Sequence, residues 1–291
     1  MKFQVLLFYK YVALDDPEKI RETQQQLCEK LNLKGRIIVA HNGINATVEG
    51  LEKDIALYIE KMHKDSRFKD IVFKKSEGTG DALSKLQIRV RKDLVSDHTD
   101  EWGIDPRIVT GKYLSAEELH EWITTGKKFY IMDMRNNYEH KSGHFADSIL
   151  PDIDNFRDLP KALPTLKKYN DRPIVTVCTG GIRCERASGL LIKNGFKEVY
   201  QLLDGIVTYM EKYPNEDFKG KLYVFDNRML MGFNTDSPKH EVVGRCLVCN
   251  KKSEHYVNCV NDDCHRHFIC CENCLHADGT IICPQGCRMM K

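Results

Sequence analysis

The sequence predicts a multidomain α/β protein: an N-terminal ferredoxin-like α+β sandwich, a central parallel α/β domain and a small cysteine-rich, metal-binding tail. Three observations point there. The first block reads strand, helix, strand, strand, helix, strand, the order of a split βαββαβ sandwich. From about Gly111 strands and helices alternate, as in a parallel sheet covered on both faces. Of 12 cysteines, all but Cys28, Cys178 and Cys184 fall between Cys246 and Cys287. A chain of 291 residues suits two or three units rather than one. The divisions read from it are 1–95, a linker over 96–111, a domain over 112–215, a connector over 216–244 and a tail over 245–291.

Each element has a local reason. FQVLLFYKYV is an aromatic-rich apolar run, and Asp15-Asp16-Pro17 then opens a helix, with proline in its first turn. Two short strands beginning near Gly35 and Asn45 flank His41-Asn42-Gly43-Ile44, whose Asn-Gly signals a hairpin. DIALYIEKMHK reads as a helix, Ile71–Lys75 as the next strand, and Leu86–Lys92 as an added one. In the second block Ser115 and Glu118 form a capping box, and 129–134 and 173–178 are buried strands. Arg186–Asn194 is a helix stopped by Gly195, and VYQLL is a further strand.

Charge and hydropathy narrow the classes. The 44 Lys and Arg nearly cancel 42 Asp and Glu, which excludes charge-driven disorder and a uniformly basic coat of the kind that wraps DNA. No apolar run approaches about 18 residues, so no membrane partner is expected. The first stretch is interrupted by Lys10 and lacks a small-residue cleavage site, so a cytoplasmic location is expected. In that reducing compartment the cysteines serve metal or catalysis rather than disulfides.

The central chemical signal is Cys178-Thr179-Gly180-Gly181-Ile182-Arg183-Cys184-Glu185. A strand ending in cysteine, then a glycine loop and a helix, turns backbone N–H groups inward. The cradle formed by Thr179, Gly180, Gly181 and Ile182 favours an anion, hence a thiolate or persulfide on Cys178, with Arg183 adding positive potential. Cysteine phosphatases place arginine six residues after the cysteine; here it comes after five, a shorter loop better suited to sulfane sulfur than to phosphate. The loop resembles that of rhodaneses, as do Asp133-Met134-Arg135, Tyr138-Glu139 and Gly143-His144-Phe145. Asp133 and Arg135 are expected to pair and buttress the loop. Asp204-Gly205 departs from the Gly-Gly of many rhodanese domains at the pocket rim. Cys184 reads either as a resolving thiol for Cys178 or as a small residue at the helix start.

In the tail, Cys246-x2-Cys249, Cys259-x4-Cys264, Cys271-x2-Cys274 and Cys283-x3-Cys287 make eight candidate ligands. Pairing the first with the third and the second with the fourth gives two cross-braced tetrahedra of four thiolates each, the preference of zinc, although iron–sulfur ligation uses the same four thiolates. About two structural zinc ions are expected, with His265, His267 and Cys270 as substitutes or bystanders. Lys85, Arg89, Arg91 and Lys92 form a local basic run that reads either as a phosphate-contacting patch or as a solvated face.

Taken together, Phe8-Tyr9-Lys10-Tyr11, Gly43-Ile44-Asn45-Ala46, Gly111-Lys112-Tyr113-Leu114, the Cys178–Glu185 octapeptide, Tyr223-Val224-Phe225-Asp226 and Asn258-Cys259 resemble the tRNA uridine hydroxylases of the TrhO type. The resemblance runs from about residue 3 to residue 274. It implies an acylphosphatase-like N-terminal domain and oxygen-dependent conversion of the wobble uridine of tRNA to 5-hydroxyuridine. It also implies that Cys178 is the persulfide-forming residue, that tRNA is the partner and that dioxygen is the co-substrate. No flavin fingerprint or facial iron triad is evident, so the oxygen-activating cofactor is unknown at this stage. The alternative is a rhodanese-type sulfurtransferase or sulfur carrier that takes sulfane sulfur from a donor.

Overall fold

A computed structural model describes residues 2–95 and 99–284. The first domain is a five-stranded sheet in the order β4-β1-β3-β2-β5. Its strands are β1 (Phe3–Tyr11), β2 (Lys34–Ala40), β3 (Gly43–Leu51), β4 (Lys74–Gly78) and β5 (Leu86–Val90). The first four run antiparallel and β5 lies parallel to β2. Helices α1 (Pro17–Lys30) and α2 (Glu52–Lys64) cover one face. That face carries Leu6, Phe8, Ile37, Val39, Ala46 and Val48, packed on Ile20, Cys28, Ile55, Tyr58 and Met62. This is the expected ferredoxin-like sandwich with one strand added. Asp16 caps α1 by accepting from the Lys19 amide.

Two local expectations shift. The hairpin turn sits on His41–Asn42, and Gly43 already belongs to β3 at φ 143, where a Cβ would lie 1.9 Å from the Lys10 carbonyl oxygen. The strand expected over Ile71–Lys75 forms instead over Lys74–Gly78. Ile71 and Phe73 are spent on the helix-covered core, which leaves a polar, lysine-bearing edge strand.

The second domain is a four-stranded parallel sheet, β6-β10-β9-β7. It comprises β6 (Lys112–Leu114), β7 (Tyr130–Asp133), β9 (Ile174–Val177) and β10 (Val199–Leu202), while β8 (Gly143–Phe145) lies outside it. Helices α4 (Leu159–Leu166) and α5 (Ile182–Lys193) pack Leu159, Leu163, Ala187 and Leu191 on one face. Helices α3 (Ala116–Thr124) and α6 (Gly205–Lys212) pack Leu119, Ile206 and Tyr209 on the other. Both hydrogen bonds of the Ser115–Glu118 capping box form. Helix α5 begins at Ile182, four residues before the predicted start, because Gly181 adopts φ 100 and launches the helix directly from the cysteine loop. Helix α4 carries Pro160 and Pro164, which hid it from a propensity reading.

The connector and tail form three small ribbons. β8 pairs with β11 (Phe218–Gly220), β12 (Leu222–Tyr223) with β13 (Leu230–Met231), and β14 (Tyr256–Asn258) with β15 (His267–Ile269). Tyr138, Tyr223, Tyr256 and Ile269 pack together, and the Tyr256 hydroxyl donates to the Tyr138 carbonyl at 2.5 Å, joining tail to second domain. Among the described residues no helix is long and apolar enough to cross a membrane.

A candidate active site between the two larger domains

The open face of the first sheet looks at the second domain. On β1, Leu6 and Phe8 face the helices, so Leu7 and Tyr9 point the other way. They meet the Cys178 loop closely: a Cβ on Gly180 would lie 2.8 Å from a Leu7 methyl, and one on Gly181 would lie 2.9 Å from the Tyr9 hydroxyl. Beside this contact opens a cleft of about 570 Å³, within the range of ligand sites. Arg36, Asn45, Thr47, Gln87, Arg89 and Arg91 line it from the first domain, Arg157, Cys178, Thr179 and Arg183 from the second, and Phe225 from the connector.

Cys178 follows β9 and is 1% exposed. The Gly181 amide donates to its Sγ at 3.2 Å, and the amides of Arg183 and Cys184 face the same sulfur. Burial opposes ionisation here, but the Cys184 thiol, the Arg183 charge and the two amides outweigh it and hold the Cys178 thiol well below its usual range. Cys184 goes the other way: burial and the neighbouring sulfur push it up, so it stays protonated and donates. The opposed shifts favour the charge on Cys178 and the proton on Cys184.

The loop is held in shape from behind. The Ile206 and Val207 amides at the start of α6 donate to the Cys178 and Thr179 carbonyls at 2.9 and 3.1 Å. With those carbonyls drawn outward, the loop N–H groups are left facing the sulfur. Gly205 makes the approach possible: at φ 75 its missing Cβ would lie 2.6 Å from Gly180 C and Gly181 N.

Arg183 is not a bare cation. Glu139, fully buried, binds it through two hydrogen bonds of 2.5 and 2.8 Å, and the guanidinium also donates to Thr179 Oγ1 at 3.3 Å. Arg135 supports this arrangement from below by donating to Asp133, to the Glu139 carbonyl and to the Gly143 carbonyl at 2.7 Å. Asp133 and Arg135 are both wholly buried and do not line the cleft. They pair with each other behind the loop, as the sequence expects.

A second layer ties the two domains together. Buried Glu185 accepts from the hydroxyls of Tyr9, Tyr113 and Thr110 and from the Gln201 amide, at 3.0 to 3.2 Å. Burial, then the charges of Glu185 and Cys178, push the Tyr9 phenol well up, so it remains a donor. Lys74 sits over the Tyr9 ring and pairs with Asp204 at 3.1 Å. Burial lowers its pKa, and Asp204 opposes that shift. Asp204, the rim departure noted in the sequence, therefore serves as an interdomain partner.

Of the basic run, Arg89 and Arg91 line the cleft, whereas Lys85 and Lys92 are exposed and lie outside its lining. The sequence assigns no role to Arg36, which stands in the Gly35-Arg36 stretch of the family resemblance, or to Arg157. Nor were Glu139, Tyr9, Lys74, Glu185 or Phe225 assigned roles. The one available signal was the alternation on β1, whose Leu7 and Tyr9 require a second covered face.

The tail brings Cys246, Cys249, Cys271 and Cys274 within 4.8 Å of one another, and Cys259, Cys264 and Cys283 likewise. Cys287 lies outside the described residues. Thiolates about 2.3 Å from a tetrahedral zinc stand about 3.8 Å apart; Cys249–Cys271 and Cys264–Cys283 are 3.6 and 3.7 Å apart. Both groups can hold a metal ion, in the cross-braced pairing expected. Cys270 is buried 3.9 Å from Cys246 and outside the set, and His267 stacks on Tyr256 as a bystander.

Comparison with known proteins agrees with this architecture. The chain matches the UPF0176 acylphosphatase like domain over residues 3–94, the Rhodanese-like domain over 115–212 and the Rhodanase C-terminal family over 219–288. A Bacillus licheniformis protein named tRNA uridine(34) hydroxylase is 42% identical over 278 residues, covering 94% of this chain and 85% of that one. A Staphylococcus aureus protein of the same name is 41% identical over 275 residues, with the same coverage. Among solved structures, a rhodanese-like domain from Anabaena is 18% identical, with a TM-score of 0.33, over 38% of this chain and 80% of its own.

Proposed function

Because this chain belongs to the tRNA uridine(34) hydroxylase family, we propose that its cleft takes the wobble uridine of tRNA and that Cys178 supports oxygen-dependent hydroxylation to 5-hydroxyuridine in the cytoplasm. The observation that carries this reading is the coincidence of a thiolate cradle with an arginine-lined cleft between two domains. Exposed Arg36, Arg89 and Arg157 make no ion pair among the described residues, which suits them to the phosphates flanking the target. A sulfurtransferase would use the same loop, yet the matching relatives are named for tRNA hydroxylation and the cleft is wider than a sulfane sulfur requires.

Each site residue has a distinct task. The Gly181, Arg183 and Cys184 amides hold the Cys178 sulfur as an anion, and Glu139 fixes Arg183 beside it. Cys184 keeps its proton and lies in hydrogen-bond contact. If a sulfane-sulfur donor leaves a persulfide on Cys178, its outer sulfur takes the Cys184 proton, and the resulting thiolate attacks the inner sulfur, forming the Cys178–Cys184 disulfide and releasing hydrosulfide. Dioxygen, as co-substrate, gives one oxygen atom to the uridine and the other to water, a balance that draws two electrons from a reductant such as a cellular thiol. Cys246, Cys249, Cys271 and Cys274 would hold one zinc ion and Cys259, Cys264 and Cys283 a second, each ion supplying folding energy to a tail with few large apolar residues.

The test is isotopic. Cells grown under heavy dioxygen and ordinary water should place the heavy label in the 5-hydroxyuridine of their tRNA, measured by nucleoside mass spectrometry. Label that enters only from heavy water overturns the oxygen-dependent reading.

A further inference from the structure

Phe225 is an unusual side chain to leave in the open. Among the described residues with large exposed apolar side chains it is the one that lines the cleft, and it is 48% exposed. Its ring is not loose. The turn that carries it is closed by Val224 and Met229 pairing through a 2.9 Å backbone hydrogen bond and by Asp226 binding the Arg228 guanidinium at 2.6 and 2.8 Å. Arg228 also donates to Ser76 Oγ at 3.0 Å and to the Glu77 carbonyl at 2.7 Å, and Asn227 donates to the Asp81 carbonyl. The turn is therefore fastened to the first domain, while Tyr223 and Phe225 meet nearly perpendicular with ring centroids 5.3 Å apart. On the second-domain side the Arg183 guanidinium stands over the ring, 5.9 Å from its centroid, which leaves the opposite face for a base.

An exposed aromatic held in the same cleft as a thiolate and among arginines has a recognisable use. Water around the ring is released when a flat apolar partner covers it, and a nucleobase offers such a surface. Base–aromatic stacking is also the common way of holding an unpaired base out of its strand. Resting on the tRNA reading above, we propose that Phe225 is the stacking platform for the target uracil, holding the flipped base over Cys178 while Arg36, Arg89 and Arg157 take the neighbouring phosphates. The residue binds substrate and takes no part in shaping the thiolate, since the groups that face the Cys178 sulfur come from residues 181, 183 and 184.

The probes are two synthetic anticodon stem-loops, one intact and one abasic at position 34, titrated by fluorescence against full-length wild-type protein, Phe225→Ala and Phe225→Trp. Loss of one stack weakens binding about five- to a hundredfold. Wild type should prefer the intact loop by a factor in that range, Phe225→Ala should lose the preference, and Phe225→Trp should keep it. The pH midpoint of Cys178 alkylation, which reports the cradle rather than access, should stay below the usual thiol range in all three proteins, which separates lost stacking from a collapsed site. Equal preference in wild type and Phe225→Ala overturns the proposal, as does a Trp variant no better than Ala. Because the readout is binding, 5-hydroxyuridine formed in cells alongside a null result here sinks the platform alone. Absence of 5-hydroxyuridine from wild-type cells sinks the hydroxylase reading beneath it.

Discussion

Gly205→Ala tests the support of the cysteine loop without touching any group that faces the sulfur. The added Cβ would lie 2.6 Å from Gly180 C and Gly181 N and 2.7 Å from Cys178 O, all backbone atoms with no flexible end to swing away. Reaching even a 3.0 Å contact requires the loop or α6 to move by 0.4 Å (3.0 less 2.6). A non-glycine residue at φ 75 adds roughly 1–2 kcal/mol of backbone strain. The movement would lengthen the 2.9 and 3.1 Å bonds from Ile206 and Val207 and turn the loop amides off the sulfur. Two readouts are expected: a melting temperature lower by several degrees, at about 2–4 °C per kcal/mol for a chain of this size, and a Cys178 thiol titrating at higher pH. Iodoacetamide alkylation across a pH series, followed by mass spectrometry of the Cys178 peptide, reports the second. A variant that alkylates with the wild-type pH profile refutes the claim that close packing of α6 shapes the cradle.

Other expectations follow from the same geometry. In wild type, alkylation of Cys178 should already be near its plateau below the usual thiol range of about 8.5 and fall only as pH drops through the lowered value. The linked folding stability has the same sign, being fully present above the unfolded thiol pKa and lost as pH falls through the folded one. Arg183→Ala should raise the alkylation midpoint and, by leaving buried Glu139 unpaired, cost about 3–5 kcal/mol in urea unfolding; Arg183→Lys should recover part of both. Tyr9→Phe removes one donor from Glu185 and should lower stability by about 1 kcal/mol, leaving the Cys178 midpoint unchanged. Elemental analysis should give about two zinc ions per chain, and Cys249→Ser should release one of them with Cys178 reactivity intact.

Much of this was legible in residue order because the signals are local. Asp16-Pro17, the Ser115–Glu118 box and the strand–Cys–Gly–helix run each carry their own reason for their geometry, and the cysteine spacing constrains how the metal sites can pair. What escaped depends on contacts across the chain. The sequence places Lys74 only in a strand, and its partner Asp204 appears when β4 packs against the second domain; Glu139 stands in a rhodanese-like motif, and its role shows only when Arg183 reaches it across 44 positions. Phe225 stands in the sequence only as part of the Tyr223–Asp226 stretch, and the fastening of its turn to Ser76, Glu77 and Asp81 is what leaves it facing the cleft. Arg36 joins Arg89 and Arg91 when β2 pairs with β5, and Arg157 joins them only once the two domains meet.

The account stands or falls on Cys178 in cells. Deleting the gene and restoring it on a plasmid, as wild type or as Cys178→Ser, should give aerobic tRNA that regains 5-hydroxyuridine with the first and lacks it with the second, at equal protein level. Full restoration by the serine variant would contradict the claim that an ionised sulfur in this cleft does the work.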